Sequence, residues 1–75
     1  MNVKIFLVVM VVSSQPTAKS YVKTFEITPN PAGLEATWRD CQTWRVAKFH
    51  EYRAKIKGLG SYHVTASCFG NQVGG

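Results

Sequence analysis

Carboxylates are scarce in this sequence. Only Glu26, Glu35, Asp40 and Glu51 occur among 75 residues, and no two are spaced to work as an acid and base pair. A glycine-rich phosphate loop, a G-x-S-x-G elbow and an H-E-x-x-H helix are all missing. These absences remove the usual routes to hydrolysis and phosphoryl transfer, and predict a protein that is not an enzyme and needs no cofactor. Long apolar runs are also lacking. The longest, Ile5 to Val12, is far short of the roughly 20 residues a helix needs to cross a bilayer core. Cysteine is sparse too, with only Cys41 and Cys68. With His50 and His63 they offer four ligand atoms, but C-x8-H-x12-H-x4-C fits no common zinc pattern. His50 projects about 180° from Cys41 on a helix, and His63 has the opposite strand parity to Cys68. No metal site is predicted.

What is present begins with the apolar run itself. Lys4 precedes it, Ser13 and Ser14 follow, and Ala18-Lys19-Ser20 supplies small residues at the −3 and −1 positions of a cut. This is the layout of a secretory leader. Residues 1–20 are therefore read as a signal peptide, cleaved after Ser14 or Ser20, and the protein as secreted or periplasmic. The competing reading keeps residues 3–12 as a β-strand, since valine and isoleucine favour strands. A strand with one face in water should alternate apolar and polar residues, and this run does not.

Residues 21–69 are predicted to form one small domain, followed by a flexible tail over residues 70–75. Tyr21–Thr28 alternates as a strand, with Tyr21, Lys23, Phe25 and Ile27 on one face, and Pro29 and Pro31 stop it. A helix is expected from Thr37 to Lys57, with Thr37 as its cap, Asp40 completing a variant capping box, and Gly58 and Gly60 ending it. Ser61–Phe69 alternates again, with Tyr62, Val64, Ala66 and Cys68 inward. The fold class is α+β: a small β-α-β unit, or ββαβ if residues 3–12 form a strand, with one helix on a short sheet. A two-stranded sheet is marginal, so either that third strand or edge pairing with a second copy as a homodimer is expected.

Projected at about 100° per residue, Trp38, Cys41, Phe49, Tyr52 and Ile56 share one helix arc of roughly 80°. Cys41 then lies on the apolar face of the helix and Cys68 on the apolar face of the last strand. In an oxidising compartment the two are predicted to bond. Closing the loop between them would stabilise the fold by roughly 3–4 kcal/mol.

The chain carries a net charge of +5, and +3 after loss of residues 1–20 (seven Lys and Arg against four Asp and Glu). Aromatic and basic residues mix on the helix, so Trp38, Arg39, Trp44, Arg45, Lys48, Arg53, Lys55 and Lys57 are the candidate binding residues. Such a mixture suits an anionic membrane surface or a protein partner of the envelope or extracellular space. The same stripe also serves a helix that merely packs on a sheet. The alternative function is an intracellular basic ββαβ module holding nucleic acid or a protein, with Tyr21, Phe25 or Tyr62 for base stacking. It lacks any signature motif.

Overall fold

The computed structural model describes residues 2–16, 19–58 and 60–73. Strand β1 (Asn2–Ser13) is followed by β2 (Tyr21–Glu26), helix α1 (Leu34–Lys55) and β3 (Tyr62–Val73). The three strands form one antiparallel sheet in the order β2-β1-β3, and α1 lies across one face of it. The α+β class and the ββαβ form of the expected architecture are what the chain adopts. The strand order splits the β2-α1-β3 unit, with β1 inserted at its centre.

The apolar run is that central strand. Alternate side chains of a strand point to opposite faces, and Ile5, Leu7, Val9 and Val11 all point under the helix, 0–3% exposed. With Ile27, Cys41 and Tyr52 they form the buried apolar core of the described residues. Cleavage at either of the expected positions would remove all of β1 and four of these seven side chains. The alternation rule fails here for an instructive reason. The opposite face of β1 does meet water, yet it carries Phe6, Val8, Met10 and Val12, with Met10 41% and Val12 38% exposed.

Boundaries differ from expectation in each of the three predicted elements, and α1 ends at Lys55 rather than Lys57. β2 ends at Glu26, although Ile27 N–H still donates to the Ile5 carbonyl at 2.9 Å. β3 continues four residues past Phe69: Gly70, Asn71, Gln72 and Val73 pair with Ile5, Lys4, Val3 and Asn2. That stretch of the expected tail is therefore strand, because β1 is long enough to template it; Gly74 and Gly75 lie outside the described residues.

The helix begins a turn earlier than predicted, with Gly33 as its cap. Thr37 is not the cap but sits buried in the first turn. Its hydroxyl donates to the Gly33 carbonyl at 3.0 Å and accepts from the Asn30 N–H at 2.8 Å. Asp40 accepts from the Asn30 side-chain amide at 3.0 Å, so both residues organise the 29–33 loop rather than close a capping box. Thr37→Val keeps the shape and removes the acceptor, leaving a partly buried N–H unpaired. A loss of about 1–3 kcal/mol is expected in chemical denaturation; a loss below about 0.5 kcal/mol would mean the loop reorganises freely.

Glu35 in the first turn and Arg53 and Lys55 in the last complement the helix dipole. Gly58 and Gly60, at φ 88° and 70°, turn the chain toward β3 in a backbone region that L-residues avoid. Cys41 and Cys68 form a disulfide, with Cα atoms 6.2 Å apart. It ties the first half of α1 to the middle of β3, where Cys68 stands opposite Leu7.

Candidate functional site

The expected helix residues do not converge on one surface. α1 lies over β1 and β3 and leaves the inner face of β2 to side chains alone. The two tryptophans fall on opposite flanks as a result. Trp44 leans toward β2 and, with Phe25, Asp40 and Lys48, lines a cleft of about 400 Å³. Trp38 leans the other way and shares a shallow hollow with Leu34, Val3 and Gly70.

Lys48 is the bridge between helix and β2. Its ammonium lies 5.1 Å from the Phe25 ring, 5.7 Å from the Trp44 ring and 3.3 Å from a Glu51 oxygen. Half-buried and supplied with one anion and two aromatic faces, it acts as a clasp over the open side of β2. Arg45 sits within the inward arc, and its Nε donates to Gln42 Oε1 at 2.8 Å. Its charge is thereby turned along the helix while its stem covers the core. Arg53 stacks over Phe49 at 5.9 Å and Lys55 over Tyr52 at 4.6 Å. Arg39 is exposed on the Trp38 flank, where it lines the same hollow, and Lys57 is exposed just past the helix end. The helix thus presents two separate aromatic–cationic flanks rather than one surface.

The sheet face away from the helix is not singled out by sequence reasoning. Its side chains follow from the register. Val22, Met10 and Thr65 form one row, Thr24, Val8 and Ser67 the next, and Glu26, Phe6 and Phe69 a third. Val12 beside His63 and Lys4 beside Asn71 close the two ends. Val22 is 54% and Phe69 53% exposed. An apolar stripe therefore runs the length of β1 and widens onto both neighbours. The Lys4–Glu26 pair at 3.2 Å sits at its margin, both partners exposed, where such a pair contributes little. The signal for this face is present in the chain: an apolar run of both parities, with material for only one helix, leaves one parity uncovered.

His50 stands on the solvent side of the helix with its ring edge-on to Phe49, 5.7 Å between centroids. His63 is on the open sheet face, and both cysteines are consumed by the disulfide. Among the described residues no three His, Cys, Asp or Glu side chains gather as a metal set. Compared with known protein families, characterised proteins and solved structures, the chain matches none.

Proposed function

We propose that this chain is a small, cationic, non-enzymatic binding protein of an oxidising, extracytoplasmic compartment, and that it holds a protein partner on the open face of its sheet. The observation that carries this reading is the uncovered stripe of Phe6, Val8, Met10 and Val12, flanked by Val22 and Phe69. Soluble chains seldom leave a contiguous apolar surface of this kind without a use for it. The partner is a protein with a complementary apolar patch, since the charges of this face, Lys4 and Glu26, pair with each other at its margin.

The compartment rests on the disulfide, which persists where thiols are not kept reduced. In this reading the working form keeps residues 2–13, because they build both the core and the binding stripe. Mass spectrometry of the natural product tests both points: an intact N-terminus with a mass about 2 Da below the reduced chain is expected. A product starting at Gln15 or Tyr21 would end the proposal, since it would have no open face.

The partner is tested by placing a photo-crosslinking residue at Met10, at Val22 or at the outward Ala47 of the helix. Adducts with one protein from the first two sites, and none from Ala47, are expected. Vesicles containing anionic lipid are the counter-arm. If they bind the chain through Trp38, Trp44 and Arg39, and Met10→Glu has no effect, the function belongs to the helix and a membrane surface instead.

A further inference from the structure

The sheet has two edges, and they are built differently. β2 is six residues long, includes Lys23 and Glu26, and runs into Pro29 and Pro31. Short length, charge and nearby proline are the devices that keep a sheet edge from pairing with another chain. β3 has none of them. It is twelve residues long, Tyr62–Val73, with no proline, lysine, arginine, aspartate or glutamate, and it carries no bulge in its register with β1. Among the described residues it pairs on one side only.

The hydrogen-bond phase shows what that free side offers. Ser14 N–H donates to the Ser61 carbonyl at 2.8 Å, and Ile27 N–H donates to the Ile5 carbonyl at 2.9 Å. In an antiparallel ladder, residues bonded to the neighbour alternate with residues whose N–H and C=O point away. Carried along the register, Ser61, His63, Thr65, Ser67, Phe69, Asn71 and Val73 bond to β1. The backbone groups of Tyr62, Val64, Ala66, Cys68, Gly70 and Gln72 face outward along an open edge.

We infer that two copies of this chain pair through β3 in antiparallel fashion, forming one six-stranded sheet. Residues of unlike phase cannot stand opposite each other, so full overlap of Tyr62–Val73 centres the pair on Ser67 or Cys68. Centring on Ser67 puts that residue opposite its own copy on the open face, with Ala66 opposite Cys68 and Thr65 opposite Phe69. No like charges meet. About a dozen backbone hydrogen bonds form, which is the complement of an ordinary protein interface. The two helices lie on the same face, one on each side of the two-fold axis, with Trp38, 40% exposed, on the flank that shares a hollow with Gly70 of β3.

Two further features favour a second copy as the occupant. The radius of gyration is 14.5 Å and the long axis 43 Å, whereas a compact chain of this length has a radius near 11 Å. The excess comes from the long β1–β3 ladder extending past the six residues of β2. A two-fold contact also uses one open edge per copy and leaves only the guarded β2 edges outside, so assembly closes at two. This inference stands on the strand edge and does not depend on the partner proposed for the open face.

The test is sedimentation equilibrium on the full, oxidised chain, compared with Ser67→Lys, Ser67→Glu, their equimolar mixture, and Met10→Glu. Ser67 is exposed, so both substitutions leave the monomer fold unchanged, which circular dichroism checks. The unaltered chain is expected at about twice its 8.4 kDa mass. Each Ser67 variant alone is expected at the monomer mass, with self-association weakened about 100-fold or more by facing like charges. The mixture should return to the dimer, and Met10→Glu should remain dimeric. A monomer throughout would overturn the inference. So would open-ended oligomers, or a dimer broken by Met10→Glu, since that contact would then lie on the open face.

Discussion

Leu7→Ala is expected to lower the unfolding free energy by about 2–5 kcal/mol, the range for emptying a fully buried leucine site. Leu7 is 0% exposed. It stands in the middle of β1, opposite Phe25 on one side and the half-cystine Cys68 on the other, in one core cluster with Cys41. The Cys41–Cys68 cross-link fixes helix and sheet beside that position, which limits how far they can close into the space. A chain of 75 residues has roughly 4–11 kcal/mol of stability in all, so the variant sits close to unfolding at room temperature. Met10→Ala, three positions along the same strand but on the other face, should lose less than about 1 kcal/mol in the same urea titration. The contrast is the informative part. If Leu7→Ala unfolds with unchanged midpoint, residues 2–13 are not the centre of the core, and the leader reading of that segment regains its place.

Reduction of Cys41–Cys68 is the second large effect. The bond links positions 27 apart, and freeing a loop of that size raises the entropy of the unfolded chain by the equivalent of roughly 3–4 kcal/mol. With a urea dependence of about 1 kcal/mol per molar for a small domain, the midpoint should fall by several molar on adding reductant. Cys68→Ala should reproduce the fall without reductant, and reductant should then do nothing further. A midpoint indifferent to both treatments would show that the core holds helix and sheet together unaided. Because this bond and the burial of Leu7 act on the same contact, the two losses should not add. The reduced Leu7→Ala chain is expected to be unfolded before denaturant is added.

The helix, β2 and β3 are legible in the order of the amino acids, because each shows the period of its element. Cys41 and Cys68 can be paired for the same reason: both lie on inward faces of elements that must meet. The limits of the elements are less so. α1 starts at Leu34 rather than Thr37 because Thr37 bonds across the 29–33 loop, a contact invisible in one dimension. The extension of β3 to Val73 depends on the length of β1, a segment whose composition equally suits a leader. The candidate helix residues do share one element, but projection cannot show that Trp38 and Trp44 fall on opposite flanks. That follows from where α1 crosses the sheet.

Composition and periodicity alone settle that this is one small α+β unit with a cationic helix and two cysteines facing inward. They cannot settle the fate of an eight-residue apolar run, since a leader and a central strand are equally oily and differ only in what lies beside them. Tertiary structure supplies those neighbours. Once β2 and β3 flank β1, one parity of the run becomes the core and the other an uncovered face. The same pairing leaves the outer side of β3 with its backbone groups free. Both surfaces are made by residues distant in sequence, which is why only the folded chain reveals them.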